Sequence, residues 1–218
     1  MVNKISNNIE DKLRCGLRDL NEVLSEDKIE KLIVLIEELE RWNQKFNLTA
    51  IRSIEDMVSG HLLDSLSVRP FLHGQLIIDV GTGAGFPGLP LAVVDPDLDF
   101  ILLDSNGKKV GFIKHVINLL DINNAQAIKK RAEDYVPASG FDTVIARALT
   151  DIPNLIALTE HLLEKQGMII SLKGKNPIKE LKKIPKFWKY SVSKVIVPGL
   201  EKHERHIISL QNLKNEIT

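Results

Sequence analysis

Hydrophobic positions along the chain change their period once. After Ser25, the apolar residues Ile29, Leu32, Ile33, Ile36 and Leu39 recur every three or four positions, the spacing of one face of an α-helix. Ser25 is a suitable N-cap, and Glu26 and Asp27 place negative charge in the first turn. A second start signal, "SIED" from Ser53 to Asp56, has the form of a capping box and leads into Met57, Val58, His61, Leu62 and Leu66. Residues 1–72 are therefore expected to be a helical extension, closed near Pro70.

From Gln75 the texture becomes short runs of Ile, Val and Leu. The segments "LIIDV", "DFILLD", "AQAIKK", "DTVIAR", "GMIISLK", "VSKVIV" and "RHIISLQ" predict seven strands. Helical segments such as "KKVGFIKHVINLL" and "IPNLIALTEHLLEK" separate the first five. This alternation predicts an α/β, Rossmann-like domain over residues 73–218, with a mostly parallel sheet wound on both faces. Only "PGLEKHE" joins the last two strands, too short for a parallel crossover, so they are expected to close the sheet as an antiparallel hairpin.

Composition adds exclusions. With 44% hydrophobic and 27% charged residues the chain is ordinary for a globular protein. No apolar run approaches the roughly 20 residues that span a bilayer, and "MVNKISNNIEDK" is too polar for a signal peptide, so no membrane partner and a cytoplasmic location are expected. Cys15, the single cysteine, is expected to be a half-buried thiol rather than part of a redox or metal pair. The histidines, His203 and His206 included, lack metal-ligand spacing, so no metal is expected. The net charge of zero hides an asymmetry: residues 173–218 carry 11 basic and 4 acidic side chains, a local field suited to phosphate.

The chemistry concentrates in "IIDVGTGAGFPGLPLA", where four glycines follow the first strand. "GAGFPG" is a literal G-x-G-x-x-G from Gly83, the dinucleotide fingerprint. Read from Asp79, the same loop is an acidic residue followed by Gly81, Gly83 and Gly85. A carboxylate beside a pyrophosphate is repelled, whereas S-adenosylmethionine carries an ammonium and no phosphate, so Asp79 favours the sulfonium cofactor over NAD. Loop amides are expected to serve that cofactor's carboxylate. Asp104, ending the second strand in "FILLDSN", is placed to accept ribose hydroxyls. In "RAEDY", Ala132 and Glu133 are placed to flank an adenine.

With these residues the chain closely resembles the bacterial ribosomal RNA small-subunit methyltransferase G family, also called glucose-inhibited division protein B. The resemblance runs through "WNQKFNLTAI", "HLLDSL", "IIDVGTGAGFPGLPLA", "LLDSNGKKVGF", "RAED", "FDTVIARAL", "SLKG" and "ERHII". It implies a class I S-adenosylmethionine-dependent methyltransferase fold and transfer of a methyl group to N7 of a guanine in 16S ribosomal RNA, with S-adenosylhomocysteine as product. It further implies cofactor contacts at Gly81, Phe86, Ala132, Glu133 and Arg147, and RNA contacts at Lys108, Lys109, Lys173 and Arg205. Where many members carry a basic residue before the His of "HLLDSL", this chain has Gly60.

The residue inventory agrees with N7 chemistry. Cytosine C5 methylation needs a cysteine nucleophile, and Cys15 is far from the predicted strand ends. Amine methylation ordinarily uses an Asn-Pro-Pro-aromatic clamp, whereas the fourth strand here runs into "ARALTDIP". Guanine N7 is already an unprotonated lone pair, so no catalytic acid or base is assigned. Arg147 and Lys173, at neighbouring strand ends, are candidates to orient the base or its phosphate, or to form ion pairs with nearby carboxylates. Phe187 and Trp188 are expected to pack rather than stack on a base, and His61 and Asp64 either cover the pocket or hydrogen-bond to each other. Small-subunit RNA or the small ribosomal subunit is the expected partner and a monomer the expected state. The rival classes are an NAD-dependent oxidoreductase and a non-catalytic RNA-binding protein.

Overall fold

The computed structural model describes residues 2–213, with side chains from residue 8 onward. Helices α1 (Val2–Asp19) and α2 (Glu26–Phe46) are followed by a segmented helix made of α3 (Ile54–Met57), a π-helical stretch (Val58–Leu63) and α4 (Asp64–Leu66). The Ser53 hydroxyl accepts from the Asp56 amide, as the capping signal predicts; Ser25 occupies the N-cap of α2 without a side-chain bond. Cys15 is exposed rather than half-buried, because α1 turns Leu13, Gly16 and Leu17 inward and Cys15 lies off that face.

Strands β1 (Leu76–Val80), β2 (Asp99–Asp104), β3 (Ala125–Lys129), β4 (Phe141–Arg147), β5 (Leu163–Lys173), β6 (Trp188–Lys194) and β7 (His206–Asn212) form one sheet of order β3-β2-β1-β4-β5-β7-β6. The first five pair in parallel, and β7 runs antiparallel to both β5 and β6. This is the predicted doubly wound sheet with its terminal hairpin. Two boundaries differ from the sequence reading. The sixth strand starts at Trp188 and ends at Lys194 instead of covering residues 192–197, because buried Trp188 anchors its start and Val195 bonds Arg205 across the turn. Helix α7 (Ile152–Thr159) stops early, and β5 already begins at Leu163, with a register irregularity opposite Phe141 and Thr143.

Strand side chains alternate between two cores, the pattern of a sheet covered on both faces. Ile77, Leu102, Ile145, Ile170 and Ile207 join the N-terminal helices, α5 (Gly88–Val94) and α6 (Gly107–Leu119) in one core. Ile78, Leu103, Val144, Ile169 and Ile208 join α7, α8 (Ile178–Leu181) and Trp188 in the other. The N-terminal helices thus share a continuous core with the sheet, and that packing carries the segment 48–64 toward the ends of β1 and β4.

Candidate functional site

β1 is flanked by β2 on one side and β4 on the other, so successive connections leave it in opposite directions. That reversal opens a crevice at the C-terminal edge of the strands, where ligands bind in open α/β sheets. A cavity of about 620 Å³ occupies it. Its walls are the β1–α5 loop (Gly81, Gly83, Phe86), the end of β2 (Asp104), the turn after β3 (Lys130 to Glu133) and the end of β4 (Arg147). Leu48, Thr49 and His61 complete it from the helical segment.

The glycine loop is closed on itself. The Gly81 and Thr82 amides donate to the Leu103 carbonyl, Gly85 and Phe86 to the Thr82 carbonyl, Gly83 to the Asp104 carboxylate at 2.9 Å, and Gly88 to Asp79 Oδ2 at 2.8 Å. Pro87 has no amide hydrogen. Gly81, Gly83 and Gly85 have φ of 67°, 64° and 90°, a conformation that only glycine adopts at little cost. A pyrophosphate needs several free N–H groups at such a turn; these six are committed, which leaves the Ala84 amide in the cavity wall.

Asp79 does not line the cavity. It is fully buried beneath the loop, where its Oδ2 accepts from the Thr82 hydroxyl at 2.6 Å as well as from Gly88, and its Oδ1 has no hydrogen-bond partner. Burial raises its pKa to about 6 against the hydrogen bonds from Thr82 and Gly88. A built-in carboxylate therefore occupies the position that a ligand phosphate takes at the start of a dinucleotide-binding helix. This corrects the expected position of Asp79: it bonds Thr82 and Gly88 beneath the loop and shapes it. The fourth glycine is also explained, since a Cβ at Gly88 would lie 2.1 Å from Leu102 Cδ2 and 3.0 Å from Asp79 Oδ2.

A ligand with an adenosine but no phosphate fits the remaining wall. Asp104 is held by the Gly83 and Asn106 amides at 2.9 and 2.7 Å, leaving carboxylate lone pairs for ribose hydroxyls. Ala132 and Glu133 lie next to it across the β2–β3 edge, Ala132 buried and Glu133 exposed.

The comparisons with known proteins converge on this geometry. A family model described as rRNA small subunit methyltransferase G matches residues 28–208. The chain belongs to the rRNA small subunit methyltransferase G family. It is 48% identical over 178 residues to the ribosomal RNA small subunit methyltransferase G of Legionella pneumophila (strain Corby), covering 82% of this chain and 84% of that protein. It is 44% identical to the protein of the same name from Idiomarina loihiensis, covering 88% and 94%. Among solved structures it resembles the precorrin-6y C5,15-methyltransferase of Geobacter metallireducens, with a TM-score of 0.51 and 15% identity over 77% of this chain and 91% of that one, a likeness of fold.

In this member of the family, the second half of the cavity is a polar cluster bridging the helical segment and β4. His61 is buried and stacks on Phe86, with ring centroids 4.6 Å apart. Burial, aided by the Arg147 charge, lowers its pKa to about 3, so the ring is neutral. Arg147 donates to the Gly60 carbonyl at 3.1 Å, His61 Nδ1 at 3.3 Å and Asp64 Oδ2 at 3.3 Å. Arg205 Nε donates to Asp64 Oδ1 at 2.9 Å. Asp64, 5% exposed, thus balances two arginines from distant parts of the chain, and it bonds them rather than His61.

Of the four cations expected to face RNA, only Lys108 is exposed. Lys109 lines the cavity. Lys173 is tied to the Thr150 carbonyl at 2.7 Å and Glu180 at 2.9 Å, the ion-pair alternative of the sequence reading, and Arg205 to Asp64. Sequence reasoning missed Lys130 and Arg131 on the cavity rim and Thr49 in its wall. The first two stand in a visible basic triplet from Lys129 to Arg131 before "AED". Thr49 had no chemical signal beyond its place in "WNQKFNLTAI". Phe187 and Trp188 pack in the core, as expected.

Proposed function

We propose that this chain transfers a methyl group from S-adenosylmethionine to N7 of a guanine in 16S ribosomal RNA, releasing S-adenosylhomocysteine. One observation carries the reading. The cavity joins an adenosine-type wall (Asp104, Ala132, Glu133), beside a glycine loop most of whose amides are already bonded within the fold, to a rim of cations formed by Lys109, Lys130, Arg131 and Arg147. Family membership supports it.

S-adenosylmethionine supplies an electrophilic methyl carbon on a sulfonium. The chain's own residues have a positional task, because N7 presents its lone pair without deprotonation. Asp104 and the turn at Ala132 and Glu133 fix the adenosine end. Phe86, stacked under His61, gives that part of the pocket an apolar floor that excludes water. Arg147 lies with its guanidinium 5.8 Å from the Phe86 ring centre and is charge-balanced by Asp64, so it can orient a base or phosphate without leaving an unpaired charge. Alignment and exclusion of water supply the rate, and no side chain is assigned as general acid or base. N7 lies on the edge that A-form RNA buries in its deep, narrow major groove, so the target guanine is one displaced from a helix. Residues 1–72 act as a helical wall on the methyltransferase domain, residues 73–218, and the enzyme works as a cytoplasmic monomer on small-subunit RNA or the small subunit. Incubation with methyl-labelled cofactor and small-subunit RNA, followed by mapping of the label, tests the reading; transfer to any position other than a guanine N7 contradicts it.

A further inference from the structure

We infer that Thr49 is a specificity-determining residue of this site: its hydroxyl donates a hydrogen bond to O6 of the guanine whose N7 is methylated, and His61 is the positioning residue that aims it. The inference rests on the functional reading above and concerns the "FNLTAI" segment, to which that reading gives no role.

The direction of the Thr49 hydroxyl follows from its neighbours. Arginine has donors only, so the Arg147 contact to His61 Nδ1 at 3.3 Å makes that nitrogen the acceptor. The ring proton then resides on Nε2, which lies 2.9 Å from Thr49 Oγ1 and donates to it. The Ile51 amide donates to the same oxygen at 3.3 Å. Both lone pairs of Oγ1 are occupied, and only its O–H remains to be used. Among the described residues it has no acceptor. Thr49 is half-buried and lines the cavity, so its proton points to whatever fills that space.

The segment is fixed, not adaptable. Buried Asn43 accepts from the Thr49 amide at 2.9 Å and donates to the Ile51 carbonyl at 3.2 Å, clamping the turn on both sides of Thr49. His61 is held by its stack on Phe86, and Phe86 belongs to the glycine loop. Adenosine-facing residues come from the β1–β2–β3 side of the cavity, whereas Thr49, His61 and Arg147 close the β4 side, which leaves this end for the base. Guanine presents two adjacent acceptors on the edge to be methylated, N7 and O6; adenine presents N7 beside an N6 donor. A lone O–H donor beside the N7 position therefore accepts guanine and opposes adenine donor to donor.

The kinetic signature is specific. Methylation at N7 makes the ring cationic, so this hydrogen bond is no stronger in the transition state than to substrate. Its loss then raises KM without lowering kcat. The test compares wild type, Thr49→Val and Thr49→Ser on two small-subunit RNAs, one with guanine and one with 2-aminopurine ligated in at the methylated position; 2-aminopurine keeps N7 and lacks O6. Thr49→Val is expected to raise KM about tenfold on the guanine RNA with kcat within about twofold, and Thr49→Ser to restore it. On the 2-aminopurine RNA wild type and Thr49→Val are expected to be equal, a comparison that cancels any difference in intrinsic N7 reactivity. Affinity for S-adenosylhomocysteine, measured by calorimetry, stays unchanged in both variants. An equal Thr49→Val penalty on the two RNAs, or none on guanine RNA, overturns the assignment while leaving the enzyme a guanine-N7 methyltransferase. Absence of N7 transfer by wild type overturns the functional reading itself.

Discussion

Replacing Asp79 by Asn removes the ionisable group that lies fully buried beneath the glycine loop while keeping its shape. In the folded protein, loss of hydration raises the Asp79 pKa from 3.8 to about 6, despite the bonds from the Thr82 hydroxyl and the Gly88 amide. That displacement corresponds to about 3 kcal/mol. Because the folded pKa is the higher one, the unfolded chain gives up its proton first as pH rises. The contribution is therefore fully present below about pH 3, declines mainly between about pH 4 and pH 6, and is absent above about pH 7. Above pH 6 the fold carries a buried carboxylate whose Oδ1 has no partner. The asparagine side chain can still accept from Thr82 and Gly88 through its carbonyl, and its buried amide adds a cost that does not vary with pH. Urea unfolding of both proteins across this interval isolates the effect. The stability of wild type relative to Asp79→Asn is expected to fall by about 3 kcal/mol from about pH 3 to about pH 7, most of it between about pH 4 and pH 6, and then level off. A difference that stays constant with pH refutes the account of Asp79 as a buried, loop-shaping carboxylate.

Two further outcomes follow from the same geometry. Gly88→Ala places a Cβ against Leu102 and Asp79 and is expected to destabilise the fold by about 1–3 kcal/mol in denaturant unfolding, with a matching loss of affinity for S-adenosylhomocysteine as the loop shifts. Lys108→Glu, at an exposed position on α6, is expected to weaken RNA binding and lower the salt dependence of log K by about one, measured by filter binding at several salt concentrations, with cofactor affinity unchanged.

The fold was legible wherever hydrophobic period and punctuation agreed. Ile29 to Leu39 announced α2, and five apolar runs separated by helices announced the parallel sheet, because a strand buried on both faces has little choice but Val, Ile and Leu. The sixth strand was misplaced because "VSKVIV" is more apolar than "WKYSVSK", yet edge strands need not be apolar, and pairing with β7 decides. Asp104, Ala132 and Glu133 line the cavity because a strand end fixes where the next residues stand. Asp79 was recognised as important but given the wrong neighbour. Its charge is visible in sequence, whereas the direction of its side chain depends on how α5 packs over β2. Leu48, Thr49 and His61 reach the cavity only through the packing of the N-terminal helices on the sheet; Lys173, for which an ion pair is one of the two sequence readings, and Arg205 meet their partners Glu180 and Asp64 only in the fold.

The central claim is methyl transfer to a guanine N7, and the most direct measurement is the position of the methyl group itself. Small-subunit RNA is incubated with the protein and S-adenosylmethionine, reduced with borohydride, cleaved with aniline and read by primer extension. The account predicts one new cleavage at a guanine outside helical pairing, dependent on both protein and cofactor. Methyl incorporation without borohydride-dependent cleavage, or no incorporation into RNA or small subunits, contradicts it.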